Sequence, residues 1–174
     1  EQPKTSSVAR TADGDMDTDF MNLGNSQTGQ AILLGGFSAG VLDFIAACVT
    51  NASRGVTPMR IGQSIASGVL GRAAFEGGYK TAALGVLLHF VIAFGAATVF
   101  CLTSNKLRWL VQHPWLSGAL FGIAVFWFMQ LIVLPLSAIS FKQNFSWQVV
   151  IIGMIVHILC VGLPIALAVR WRVA

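Results

Sequence analysis

Long apolar runs separated by short polar segments dominate the pattern along this chain. Four runs lie at about residues 31–51, 81–103, 115–137 and 147–169, and each is close to the roughly 20 residues that an α-helix needs to cross a bilayer. A shorter apolar stretch at about residues 58–71 starts with Pro58, a favoured first residue of a helix, but is too short to span. We therefore predict an all-α, polytopic membrane protein with four transmembrane helices and one short interfacial or re-entrant helix.

Composition supports a membrane protein and excludes several other classes. Apolar residues make up 55% of the 174 residues and charged residues only 10%, against about 25% charged in soluble domains. A soluble α/β enzyme, a disordered chain and a secreted disulfide scaffold are therefore excluded. Residues 1–30 differ from the rest because they are polar and carry a net charge of −3. We expect two regions, an acidic N-terminal tail at 1–30 and a four-span membrane domain at 31–174.

Basic residues near the ends of the predicted spans are candidates for contact with lipid headgroups. They are Arg54, Arg60, Arg72, Lys106, Arg108, Arg170 and Arg172. Four of the Lys/Arg residues lie on the side of the two termini; five, including Lys80 and Lys142, lie on the other, so the positive-inside rule does not decide the orientation. We expect a multi-pass protein of the bacterial inner membrane with both termini cytoplasmic.

One polar residue lies deep within each predicted span, namely Asp43, His89, Gln130 and His157. At about 1.5 Å per helical residue, all four reach a depth of roughly 18–22 Å from the side of the termini. An aspartate at the centre of a membrane helix costs roughly 2.5–3.5 kcal/mol on insertion scales, so it must face the bundle and find a partner. The sequence therefore predicts a polar cluster near the midplane.

Several kinds of chemistry fit such a cluster. It is a structural clasp between helices, a proton relay through Asp43 and the histidines, or a site for haem, chlorin or a metal ion on an imidazole. The chain has no HxxxH or ExxH spacing and no cluster of cysteine and histidine. We therefore predict no cofactor and no metal, and keep haem or chlorin on His89 or His157 as an alternative.

Two GxxxG motifs mark close approaches between helices. The first contains Gly36 and Gly40, and the second contains Gly118 and Gly122. Residues without side chains let two helix backbones approach closely, and packing drives helix association in lipid. The motifs serve packing within the chain or docking onto the helix of a partner.

The second half of the chain resembles the YagU-like family of small bacterial inner-membrane proteins. The similarity spans about residues 85–172 and rests on His89-Phe-Val-Ile-Ala-Phe, Leu116-Ser-Gly-Ala-Leu-Phe-Gly122, Leu134-Pro-Leu136, His157 and Arg170-Trp-Arg172. The resemblance implies a four-helix inner-membrane protein with cytoplasmic termini. It implies no catalytic residue.

The sequence contains no phosphate-binding loop and no nucleophile elbow, so we do not expect an enzyme. We expect a non-catalytic accessory or assembly subunit of a larger membrane complex, respiratory or photosynthetic for example. Its partners are then other membrane subunits and lipids, not nucleic acid. The alternatives are a small transporter or proton-handling protein that uses the midplane cluster, and a haem or chlorin carrier.

Overall fold

A computed structural model describes residues 6–138 and 146–173, with side chains described for residues 26–138 and 146–172. The described residues form helices and no strand. In chain order the α-helices are α1 (Ser6–Ala52), α2 (Pro58–Leu70), α3 (Gly78–Lys106), α4 (Trp109–Gln112), α5 (Pro114–Phe128), α6 (Leu134–Leu136), α7 (Trp147–Val156) and α8 (Leu163–Val173). A 3₁₀ turn occupies Gly71–Phe75, and π turns occupy Met129–Val133 and His157–Gly162.

Four continuous helical segments are long and apolar enough to cross a membrane. They are Ser26–Ala52, Gly78–Lys106, Pro114–Leu136 and Trp147–Arg172. The third joins α5, the first π turn and α6, and the fourth joins α7, the second π turn and α8. The prediction of an all-α protein with four spanning helices and shorter helices is therefore confirmed.

Several helices extend beyond the apolar runs from which they were predicted. Helix α1 starts at Ser6, so helical backbone continues through residues 6–30 of the predicted acidic tail; residues 1–5 lie outside the described part of the chain. At their other ends, α1 stops at Ala52 shortly before Gly55 and α2 stops before Gly71, and these two glycines have φ of 72° and 60°. Lys142 also lies outside the described residues.

The bundle has a tightly packed half, which we call the closed half. Helix α1 packs between α3 and α8, and α5 packs against the second half of the fourth span. The buried core of this half consists of Ala31, Ala39, Ala97, Phe100, Cys101, Val161, Ile165, Ala166 and Val169. Many of these side chains are small, so the helices approach closely there, and a cavity of about 240 Å³ lies beside this core, with Phe100, Leu110 and Phe121 among its lining.

The opposite half contains the end of α1, the start of α3, the end of the third span and the start of the fourth; we call it the open half. Helix α2 lies across the start of α3 there, where a methyl group on Gly62 would come within 2.7 Å of the Ala82 carbonyl oxygen. The N–H of Ala138 donates a 2.8 Å hydrogen bond to the Gly68 carbonyl, which ties the end of the third span to α2. Helix α2 thus covers part of the open half.

Both π turns lie directly before a Leu-Pro pair. The N–H of Leu134 bonds to the Met129 carbonyl, and the N–H of Leu163 bonds to the Ile158 carbonyl, each five residues back. Pro135 and Pro164 follow these leucines, and a proline lacks an N–H and clashes with the carbonyl four residues before it. The wider π turn moves that carbonyl aside, so the spans continue past their prolines.

Candidate functional site: a polar cavity in the open half

A cavity of about 480 Å³ lies between the helices of the open half, and we call it the Asp43 cavity. Side chains from α1, α2, α3, the third span and the second π turn line it. All four predicted midplane residues are among them, that is Asp43, His89, Gln130 and His157. Asp43 lies eight residues before Asn51 at the rim, or about 12 Å along α1. The polar cluster therefore lies deep in the membrane but borders open space.

Asp43 is mostly buried and only loosely paired. Its side chain is 20% exposed, and one carboxylate oxygen lies 4.0 Å from Nε2 of His89. That distance is too long for a hydrogen bond, and no described residue donates one to the carboxylate. An ionised carboxylate in such a place lacks the partners that normally offset its desolvation. Asp43 is therefore open to a hydrogen-bond donor or a cation within the cavity.

The two histidines have ring nitrogens committed to backbone carbonyls. Nε2 of His89 lies 2.9 Å from the Gly40 carbonyl oxygen, and Nδ1 of His157 lies 2.9 Å from the Gly153 carbonyl oxygen. A carbonyl only accepts, so those nitrogens carry the protons. The other nitrogens, Nδ1 of His89 and Nε2 of His157, are the ones that can accept a proton or bind a ligand.

Each GxxxG motif places one of these histidines. A methyl group on Gly40 would come within 2.7 Å of the Phe90 ring, so the bare backbone there lets α3 approach until His89 reaches α1. In the same way a methyl group on Gly122 would lie 2.6 Å from the His157 carbonyl oxygen. Gly36 and Gly118 pack against Phe94 and the Gly162–Leu163 segment in the same two contacts. All four contacts lie within the chain.

Gln130 and His157 both belong to the π turns. Gln130 lies within the first π turn, and His157 begins the second. A π turn widens the helix and changes the direction of the side chains that follow, and such turns are frequent at functional sites. The signal in the sequence that could have found them is Pro135 and Pro164, because a proline inside a helix disturbs its backbone hydrogen bonds, although it does not specify a π turn.

A second cavity of about 290 Å³ lies beside the first, and we call it the side cavity. The two cavities share Asp43, Ala47, Asn51 and His157. Residues of α1 and α7 line the side cavity, and few residues of these two helices approach each other, whereas α1 packs closely against α8. The helices thus separate toward the open half, and the separation leads to Asp43.

The predicted headgroup-contact residues have different surroundings. Arg60 lines the Asp43 cavity with its guanidinium 4.4 Å from the centre of the Phe75 ring, and Arg54 lines the side cavity. Arg172 donates a 2.8 Å hydrogen bond to Gln30 and stacks over Trp171. The other four, Arg72, Lys106, Arg108 and Arg170, are exposed near helix ends.

The described residues offer little to a metal ion. No group of three His, Cys, Asp or Glu side chains within them could hold one. For haem or chlorin, Nε2 of His157 is free to act as a ligand, whereas Nε2 of His89 faces the Gly40 carbonyl. His89 and His157 thus present different nitrogens to the cavity.

No protein-family model, curated protein or solved structure matches the chain. The resemblance to YagU-like proteins therefore stays a prediction, and the function has to be argued from the cavity.

Proposed function

We propose that the chain is a small proton-handling transporter that works through the Asp43 cavity. The observation that carries this proposal is a carboxylate about 12 Å below the cavity rim with no hydrogen-bond donor among the described residues and one histidine nitrogen 4.0 Å away. A group of this kind binds and releases a proton as its surroundings change, which is the usual role of carboxylates inside membrane bundles.

The two histidines extend the proton-binding capacity of the site. In each histidine one ring nitrogen bonds to a backbone carbonyl, which leaves the other ring nitrogen to accept a proton. Histidine is a common proton carrier in proteins, so His89 and His157 would join Asp43 in exchanging protons with cavity water. A purely structural clasp would instead join these side chains directly by hydrogen bonds.

The proposed orientation places both termini in the cytoplasm of a bacterial cell. The open half then faces away from the cytoplasm, and the cavity takes protons from the outer side of the inner membrane. The closed half, with its core of small side chains, separates the cavity from the cytoplasm. Proton transfer across that half requires a rearrangement of the helices.

Proton flux into liposomes tests the proposal. The purified full-length chain is reconstituted with a pH-sensitive dye trapped inside, charge movement is balanced with valinomycin and K⁺, and the outer pH is lowered. We expect wild-type protein to acidify the interior faster than empty liposomes do. We expect Asp43→Asn to return the rate to that of empty liposomes, because an amide cannot carry the proton.

The matched control is Glu76→Gln, which removes the other acidic residue of the membrane domain. Glu76 is exposed beside the start of α3 and does not line the Asp43 cavity, so the flux should be unchanged. Asp43→Glu keeps a carboxylate and should retain flux, which separates lost chemistry from misfolding. Equal flux for wild type and Asp43→Asn, or no flux above empty liposomes, contradicts the proposal.

A second candidate function is that of an accessory or assembly subunit, and the length of α1 favours it. The helix begins at Ser6, so about 20 residues of helix precede the spanning segment, which starts at Ser26. A polar helix of that length is only marginally stable alone in water and gains stability when it packs against another surface. A partner subunit would provide that surface.

A further inference from the structure

We propose that the Asp43 cavity binds an amphipathic organic cation, whose charged group pairs with Asp43 while its apolar part lies against the cavity wall. The inference rests on the proposed function, because it names a solute that competes with the proton for Asp43. The inference thereby assigns a substrate class to the cavity.

The first argument is that the Asp43 carboxylate accepts no hydrogen bond from the described residues. Asp43 is 20% exposed and its closest cationic neighbour is His89, at 4.0 Å. The ring proton of His89 that faces α1 is already shared with the Gly40 carbonyl. An ammonium or phosphonium group beside Asp43 would supply the charge that the described residues do not, in a region where the interaction is strengthened by low dielectric.

The cavity wall favours an organic cation over an inorganic one. Hard metal ions require six or more oxygen ligands or a fixed octahedral set, whereas the side chains of the lining supply one carboxylate and the neutral oxygens of Asn51, Ser64 and Gln130. Most of the lining is apolar, with Ile61, Ile65, Ile92 and Met129 among it. A volume of about 480 Å³ is within the range of small-molecule sites, which combine apolar walls with a few polar groups.

Aromatic rings add a surface for positive charge. The Phe44 ring lines the cavity and lies 5.7 Å from the His89 ring, centre to centre. At the rim, the Arg60 guanidinium already lies 4.4 Å from the centre of the Phe75 ring. A cation is attracted to an aromatic face, so the Phe44 ring adds a favourable surface for a cationic solute in the cavity.

The route to the site suits a solute that dissolves in the bilayer. The side cavity lies between α1 and α7, where these helices separate, and it shares Asp43 with the main cavity. Val149 and Ile152 line this route and are exposed. A molecule with an apolar body can therefore reach Asp43 from the lipid as well as from water.

Competition with protons fixes the expected pH dependence. Protonation of Asp43 removes the negative charge, and protonation of His89 or His157 adds positive charge beside it. Arg60 and Arg54 stay positive throughout and lie toward the rim. All these effects act in one direction, so affinity for an organic cation falls as the pH falls.

Calorimetry with tetraphenylphosphonium tests the inference on the full-length protein in mild detergent. We expect saturable binding at mildly alkaline pH that weakens at mildly acidic pH and releases a proton, measured by comparing buffers of different ionisation enthalpy. Asp43→Asn should weaken binding roughly tenfold or more, and Glu76→Gln should not change it. The neutral analogue triphenylphosphine oxide should bind more weakly than the cation.

Three results would overturn the inference: no saturable binding to wild type, equal binding to Asp43→Asn, or equal binding of the neutral analogue. Should Asp43→Asn fail to give monodisperse protein, the pH dependence and the proton release of the wild type decide. The outcomes also separate the two proposals. Proton flux without cation binding would refute the organic-cation inference and leave the proposed proton transport standing. Cation binding without proton flux would leave the binding site standing and refute proton transport.

Discussion

Ser117 shows how one side chain repairs a defect that a proline creates. In the turn between α4 and α5, the carbonyl of Leu110 would normally accept from the N–H of residue 114, but that residue is Pro114 and has none. The Ser117 hydroxyl donates a 2.7 Å hydrogen bond to that carbonyl instead, from a side chain that is 1% exposed. This bond fastens the loop between the second and third spans.

Replacement of Ser117 by alanine should therefore destabilise the protein by about 1–2 kcal/mol, because a buried carbonyl loses its only expected donor. The matched control is Ser38→Ala. The Ser38 hydroxyl donates a 2.6 Å hydrogen bond to the Leu34 carbonyl of its own helix. That carbonyl also accepts a backbone hydrogen bond within the helix, so loss of the hydroxyl should have little effect on stability. Thermal unfolding in detergent measures both; equal midpoints for the two variants would refute the assignment.

Helices approach one another closely at several glycines, such as Gly40, Gly62 and Gly122, and these contacts set the geometry of the cavity. The sequence predicted the spans well because a run of apolar residues reports a spanning helix directly. It also identified Gly40 and Gly122 as contact points. It did not reveal that each brings a histidine into the cavity, because spacing along one helix does not say which residue of another helix lies opposite. The sequence also did not predict the π turns, because a proline indicates a disturbed helix but not how the backbone accommodates it.

Gly122→Ala tests the contact between the third span and the second π turn. The added methyl group would lie 2.6 Å from the His157 carbonyl oxygen, which is backbone and cannot rotate away. We expect a loss of about 1–3 kcal/mol in stability from overpacking and a displaced His157. Gly95→Ala is the control, because nothing lies within 4 Å of a methyl group there, and alanine should leave stability equal or higher. An unaffected midpoint in Gly122→Ala would show that the helices can separate at no cost.

The bundle joins two halves of different character. The closed half has a core rich in small, fully buried residues such as Ala97 and Ala166, whereas the open half holds a cavity that reaches Ala39 and Val161 at the border with that core. Hydropathy alone could not distinguish the halves, because both are equally apolar in sequence. The distinction follows from side-chain size, which decides how closely the helices approach.

The native mass of the particle in mild detergent decides whether the chain acts alone. If α1 binds a partner through residues before Ser26, the particle extracted from its own membranes should contain other proteins, and a chain that starts at residue 26 should lose them. Detergent alone accounts for part of any measured mass, so the companions must be identified by mass spectrometry. A particle containing only copies of this chain would exclude the accessory-subunit function and leave the transporter.

The border between the two halves also determines where a transmembrane voltage acts. A water-filled cavity would carry little of the electric field, so most of the potential difference would fall across the packed core around Ala97, Ile165 and Val169. A charge that leaves Asp43 toward the far side therefore experiences nearly the full voltage, about 2.3 kcal/mol per elementary charge for each 100 mV. Binding of that charge to Asp43 from the cavity side is therefore almost independent of the voltage.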